Sequence, residues 1–409
     1  MKELIAGFTI IALIFPTKLL AQKAEGFEIE GHIDGVKDGE VVRLGNRFAD
    51  WHELELIDSC VINRGEFHLT GKFVAEGPRI YELWFSGHRV QDKILRKNIG
   101  GVFCILFINN GERIKIRAGD INKMQQSEFS GEINIEGSPS NLAKASIMPI
   151  FRYFQNCYDG LNRKLDRVKD SVGFDHNLIE GLIDSKFILD DGLNAILSNS
   201  QQYYKPAIPL ILCDINEVIS ASHYHASFVA ELYKRLDEVT KASYYGKQMK
   251  EYAKLSVGEP FPNFALPTPD GKIISLERFV AKNKITIVHF WGSNSYERDK
   301  YQQELRILYR KYRDKGLDII AVAADSIATE WKARVLVEQY PWVNVSDLKG
   351  NLKGSIVNDV YNEGGHSIPN TTNVLVDSSG KIIAWDVAGL ELQWYLWKYL
   401  GDQPQRNKL

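Results

Sequence analysis

The sequence predicts an α+β chain of several domains: an N-terminal β-sandwich-like domain, a helical connector and a C-terminal α/β domain. Three observations point there. Up to about residue 135, apolar and polar residues alternate over short stretches, the period of a half-buried strand. From about 141 to 254, apolar residues recur in steps of three and four, the period of an amphipathic helix. From 255 onward, short apolar runs alternate with helical patterns, as in a sheet covered by helices. The 409 residues are 44% hydrophobic and 11% aromatic, enough for more than one core. Lys and Arg total 50 against 52 Asp and Glu, so there is no basic excess and nucleic acid is not an expected partner. Four cysteines make no dense disulfide scaffold.

The elements follow in order. Lys2 precedes an apolar run from Leu4 to Phe15, and Leu19-Leu20-Ala21 closes the segment. This reads as a signal peptide over residues 1–21, cleaved after Ala21. The run is about a dozen residues, short of the ~20 that span a bilayer, and Pro16 and Lys18 interrupt it. No cysteine lies near the cleavage point, so lipid attachment is not indicated. The expected mature protein is exported, periplasmic and without a transmembrane segment.

Residues 25–138 are the expected β domain. Phe27, Ile29, Gly31 and Ile33 alternate with Glu28, Glu30 and His32. Ile57–Ile62 and Phe67–Gly71 flank Asn63-Arg64-Gly65-Glu66, the pattern of a tight hairpin with Gly65 at positive φ. Val102–Ile108 is nearly all apolar and reads as a central strand, ended by a turn at Asn109-Asn110-Gly111. Residues 139–254 are the expected helical connector. Ile147, Phe151, Phe154, Tyr158, Leu161, Leu165 and Val168 form one stripe, and Phe228, Leu232, Leu236 and Val239 another. Pro206 and Pro209 separate the two.

Residues 255–402 are the expected α/β domain. Strands are read at Ile285–Trp291, Leu317–Ala323, Asn373–Val376 and Ile382–Trp385, with a turn at Ser379-Gly380. Helices are read at Glu297–Tyr312, Trp331–Gln339 and Leu390–Leu400. A central sheet of mixed direction follows.

Several segments here carry a family resemblance. Val257-Gly258-Glu259-Pro260-Phe261-Pro262-Asn263-Phe264-Ala265-Leu266 resembles the entry segment of TlpA/ResA-type thioredoxin-like proteins and the related AhpC/TSA group. Asp270-Gly271-Lys272, Ile287–Trp291, Leu308–Gly316 and Leu375–Ile383 continue the likeness in order. Asp58-Ser59 and Gly65-Glu66-Phe67 resemble the uncharacterised β domain found before such domains in exported bacterial proteins. The resemblance implies a thioredoxin-like fold for the C-terminal domain.

It also implies a site, and the site departs from the family pattern. The family's dithiol follows Trp-x-x-x-Cys-x-x-Cys, where a thiolate at a helix N-terminus attacks a disulfide and the second cysteine resolves it. Here the segment reads Trp291-Gly292-Ser293-Asn294-Ser295-Tyr296-Glu297-Arg298. Ser295 and Arg298 stand at the two cysteine positions, and no cysteine follows Cys213. A serine hydroxyl does not cycle between thiol and disulfide, and a peroxidatic cysteine is missing by the same count. A serine nucleophile would need a base, for which the resemblance offers only His366; helix capping by Asn294 with Glu297, shared with Ser293 or Ser295, is the preferred reading. The family's cis-proline position falls on Pro369 or, by the spacing back from Asp377, on Thr371.

The other candidates are weaker. Cys60, Cys104, Cys157 and Cys213 form no Cys-x-x-Cys, and both a Cys157–Cys213 bridge and free buried thiols stay open. His223-Tyr224-His225 lacks a third ligand, His52-Glu53 lacks a second histidine, and neither a metal nor a cofactor is expected. Trp331, Trp342, Trp385, Trp394 and Trp397 read as core. The expected function is non-catalytic binding or scaffolding at the cell envelope. An extended peptide or envelope protein would be the partner, and Trp291, Asn294, Ser295 and Pro369 would line a groove. The alternative is a thiol-disulfide oxidoreductase or isomerase of cell redox homeostasis that uses cysteines outside the usual motif.

Overall fold

The computed structural model describes residues 26–46, 55–72, 77–91, 98–120, 133–171, 175–199, 207–210, 226–293, 298–350, 354–356 and 371–401. The β region contains β1 (Phe27–Ile33), β2 (Val41–Asn46), β3 (Glu55–Val61), β4 (Glu66–Gly71), β5 (Arg79–Gln91), β6 (Asn98–Ile108), β7 (Arg113–Ala118) and β8 (Ile133–Glu136). They form two four-stranded sheets, ordered β4-β1-β7-β8 and β3-β2-β5-β6. Ile29, Ile33, Leu69, Ile114 and Ile116 of one sheet meet Val42, Leu44, Leu83, Leu106 and Ile108 of the other in a shared core. The region is a sandwich, as its alternating pattern requires.

Two readings of this region are corrected. The 57–71 hairpin has its tight turn: Arg64 and Gly65 take φ of 53° and 76°, and Asn63 and Glu66 exchange backbone hydrogen bonds of 3.1 and 2.9 Å. Beyond the turn the strands part, β3 joining β2 and β4 joining β1. Side chains then replace the ladder. The Thr70 N–H donates to Asp58 Oδ2 at 2.7 Å, and the His68 N–H donates to the Cys60 sulfur. The second correction concerns Val102–Ile108, which lies in an edge strand, since among the described residues β6 pairs with β5 alone.

The helical region contains α1 (Pro139–Ser171), α2 (His176–Asn199), α3 (Ala226–Arg235), α4 (Glu238–Ala242) and α5 (Tyr244–Ala253). The first stripe holds: Ile147, Phe151, Phe154, Tyr158, Leu165 and Val168 are buried. The second breaks at Val239, which is 75% exposed. Asp237 accepts from Thr240 N at 2.8 Å and caps a new helix, α4, so the phase of α3 does not continue. These helices pack on the sandwich through Ile80, Ile105 and Phe107.

The C-terminal region contains β9 (Ala265–Pro267), β10 (Ile273–Ser275), α6 (Leu276–Val280), β11 (Ile285–Trp291), α7 (Arg298–Tyr312), β12 (Leu317–Ala323), α8 (Ala328–Glu338), β13 (Val343–Val345), β14 (Thr371–Asp377), β15 (Ile382–Ala384) and α9 (Gly389–Leu400). Its main sheet has the order β13-β12-β11-β14-β15. β11, β12 and β13 run parallel, β14 runs antiparallel to β11, and β15 runs antiparallel to β14, so the sheet is mixed as expected. Alternate residues of β11 serve two cores: Val288 and Phe290 on one face, Ile287 and Trp291 on the other. Trp331, Trp342, Trp385 and Trp394 are buried, and half-buried Trp397 stacks on His176 at 3.4 Å between ring centres. Among the described residues, no helix is long and apolar enough to cross a membrane.

Candidate functional site

The site is built where β11 ends. All seven residues of β11 are buried, because each edge is paired and each face is covered. At its last residue, Trp291 stands opposite Ala323 of β12 and Thr371 of β14. The rim is thus formed by the ends of β11 and β12 and the start of β14, where the chain must leave the sheet to begin α7. Ala324 N–H donates to the Trp291 carbonyl at 2.8 Å, which extends the pairing by one bond.

Ser293 and Asp325 fix the first step beyond the strand. The Ser293 N–H reaches the two Asp325 carboxylate oxygens at 3.3 and 3.2 Å, and the Ser293 hydroxyl also donates to Asp325. The two residues are 3% and 9% exposed. A buried carboxylate therefore anchors the departing loop, taking both donors of one serine. The sequence signal for this pair was faint: Ser293 looked like a capping residue, and nothing marked Asp325.

Asn294, Ser295 and Glu297 lie outside the described residues, as do His366 and Pro369. Arg298 is the first residue of α7. Thr371, the other candidate for the proline position, opens β14 opposite Trp291. Trp291 is 1% exposed and packs edge-on against Tyr340, with ring centres 5.4 Å apart. Tyr340 stacks on Trp342 at 5.6 Å, and the Arg306 guanidinium lies 5.2 Å from the Tyr340 ring centre. This corrects the expectation that the Trp291 side chain lines a groove: it supports the rim from within the core.

A second polar group lies two residues back from Trp291. His289 is fully buried; its Nδ1 is 2.8 Å from Asn373 Oδ1 and its Nε2 is 2.9 Å from Gln302 Nε2. Gln302 can only donate from that nitrogen, so the imidazole carries its proton on Nδ1 and donates to Asn373. Burial pushes the His289 pKa down to about 4, against the opposing effect of the Asn373 bond. The ring is neutral and both nitrogens are committed, which makes it a strut between β11, β14 and α7. One histidine within the apolar run Ile285–Trp291, with Asn373 in another buried strand, was the overlooked signal.

The cysteines lie far from this rim in sequence. Cys60, on β3, has its pKa raised chiefly by burial, with Asp58 adding to the shift against the His68 bond. Cys60 and Cys157 are not bridged, Cys104 is buried in the sandwich, and Cys213 lies outside the described residues. His52, Glu53, His223 and His225 lie outside them too. Among the described residues, no group of three His, Cys, Asp or Glu is placed to hold a metal ion. The Ser293 hydroxyl is tied to a carboxylate, so the described rim offers shape and hydrogen bonding.

A mixed five-stranded sheet, helices on both faces and a strand-to-helix junction at the rim define a thioredoxin-like domain. Residues 257–385 match the AhpC/TSA family, and residues 27–143 match a domain of unknown function, DUF4369. The thiol-disulfide oxidoreductase ResA of Bacillus thuringiensis subsp. konkukian is 33% identical over 160 residues, 38% of this chain and 83% of that protein. Peroxiredoxin Q of Triticum aestivum is 27% identical over 133 residues, 32% of this chain and 58% of that protein. Among solved structures, the thioredoxin domain of a thiol-disulfide oxidoreductase from Bacteroides vulgatus is 26% identical, covering 36% of this chain and 99% of that one with a TM-score of 0.31. The chain belongs to the TlpA/ResA-type thioredoxin-like proteins, with an additional domain on the N-terminal side.

Proposed function

We propose that this chain is an exported thioredoxin-like protein that binds or scaffolds at the cell envelope and does not exchange disulfides. One observation carries the reading. Ser295 and Arg298 occupy the dithiol positions, and no cysteine follows Cys213. The electron-transfer step of its relatives needs a thiolate at the first position and a thiol at the second, and neither residue type supplies one. The chain does build a frame there: the Ser293–Asp325 anchor and the His289–Asn373–Gln302 strut brace the end of β11 and α7. A braced frame with no thiol beside it fits recognition of an extended peptide or envelope protein at Asn294, Ser295 and Pro369. Export rests on the apolar segment from Leu4 to Phe15 and the small residue Ala21.

The test is a disulfide-reduction assay on the purified chain beside a Ser295→Cys, Arg298→Cys double variant. The expected result is no turnover above buffer for the natural chain and a gain of activity in the variant. Reduction by the natural chain would overturn the reading and point to the upstream cysteines. Intact mass with and without reductant separates these cases, since an upstream redox pair would show a two-proton difference under mild conditions.

A further inference from the structure

The stretch from Asp386 through the first turn of α9 is the meeting point of three sets of contacts. Its backbone is bent by two left-handed residues, Asp386 at φ 48° and Gly389 at φ 58°. The first contact runs to β14: Asn373 Nδ2 donates to the Val387 carbonyl at 2.9 Å, and the Val387 N–H donates to the Asn373 carbonyl at 3.3 Å. Asn373 also holds His289, which holds Gln302 on α7. The second runs directly to α7, where Glu304 Oε2 accepts from the Gly389 N–H at 3.2 Å. Its other oxygen is buried and has no partner among the described residues. The third runs to the helical connector: Glu391, in the first turn of α9, pairs with Lys186 of α2 at 2.8 Å.

That ion pair is sheltered, its side chains being 13% and 18% exposed. Around it, Leu165, Val168, Ile179, Leu182 and Ile183 of the connector pack on Leu390 and Trp394 of α9. A sheltered carboxylate that loses its paired cation carries an uncompensated desolvation penalty in its present place. The first turn of α9 would have to move, and that turn carries the N–H that holds Glu304.

We propose that residues 386–391 energetically couple the helical connector to α7, the helix that opens at the candidate site. The connector is then more than a spacer, because its seating on α9 sets the position of α7. The coupling is reciprocal, so anything that displaces the start of α7 is felt at the Lys186–Glu391 pair. The inference concerns the frame alone and holds whatever the site binds. Burial and the neighbouring Glu391 charge push the Asp386 pKa up to about 6, against the charge of Lys186 and a hydrogen bond from Thr372.

The test is hydrogen exchange on the full chain, reading amides 299–304 against those of β12 as an internal control. Lys186→Met is expected to speed exchange at 299–304 relative to β12 by about threefold or more, within the range of transmitted couplings. Glu391→Gln, which keeps the shape, should do the same if Lys186→Met fails to fold. In a double variant with Glu304→Gln, the combined effect should fall short of the product of the single effects, since both act through one segment. Lys254→Met, which removes an exposed pair with Glu251, should leave these amides unchanged. Changes confined to α2 and α9, or single effects that multiply independently, would overturn the proposal.

Discussion

β11 has a strand on each side, β12 along one edge and β14 along the other, whereas among the described strands β6 has β5 alone. Yet β11 and the described side chains of β6, residues 104–108, are buried on both faces. Ile105 and Phe107 point to the helices and Cys104, Leu106 and Ile108 to the opposite sheet. The open edge of β6 is closed by side chains from the start of α1. Asn141 Oδ1 accepts from the Phe107 N–H at 3.0 Å, Asn141 Nδ2 and the Ser138 hydroxyl donate to the Phe107 carbonyl, and Lys144 Nζ donates to the Ile105 carbonyl at 3.3 Å. An unbroken apolar run therefore reports that both faces are covered. It says nothing about how the backbone edges are satisfied, which in β6 falls to three polar side chains more than thirty residues away.

The largest effect is expected from removing one large side chain from each strand. Phe107→Ala and Phe290→Ala should each cost about 3–5 kcal/mol in denaturant unfolding, because both rings are fully buried. A cost near 1 kcal/mol for Phe107→Ala would mean that the edge strand is not covered as described. Acid titration should then separate the regions by sign. His289, below its ordinary value of 6.5 at about 4, supports the fold fully above about pH 6.5 and loses that support as pH falls towards 4. Two and a half units correspond to at most about 3 kcal/mol.

Glu112, in the β region, moves the other way. Burial raises it from 4.5 to about 7, so its contribution is fully present below 4.5 and is lost as pH rises through 7. Between pH 7 and 4.5, exchange protection should fall around β11 and rise around β7. Glu112→Gln should flatten the second trend alone, and parallel trends in both regions would contradict these assignments.

A smaller effect is expected from the edge itself. Asn141→Leu strips the Phe107 N–H of its partner and should cost about 2 kcal/mol, with faster exchange at Phe107, while the ladder of β11 has no equivalent side-chain dependence. The least is expected at Val239: Val239→Ser should stay within about 0.5 kcal/mol, because the residue is 75% exposed and belongs to a separately capped helix. A larger loss would restore the continuous stripe that the spacing of Phe228, Leu232 and Leu236 suggested.

Much of the frame was legible because it is local. The period in Phe27–Ile33 and the spacing from Ile147 to Val168 reflect which face is buried, and burial patterns are written residue by residue. The same holds for Ile285–Trp291 and Leu317–Ala323, whose bounds match the strands found. The candidate site was legible only in its chemistry, through the residue types at 295 and 298. Its supports were not, because Ser293 and Asp325 are 32 residues apart and His289 and Asn373 are 84 apart. A polar residue in a buried strand signals that a partner exists without saying which one.

What the sequence by itself determined is the class of fold, the order of the three regions, and the absence of any cysteine after Cys213. These depend on residue type and spacing, and nothing in the packing can restore an absent thiol. Only the tertiary structure decided that Val102–Ile108 is an edge strand, that the 57–71 hairpin divides between two sheets, and that Trp291 faces inward. It alone tied the connector to α9 through Lys186 and Glu391, 205 residues apart. The physical reason is shared: a backbone group or a sheltered charge must find a partner wherever the fold brings one, and which partner that is depends on contacts between distant segments.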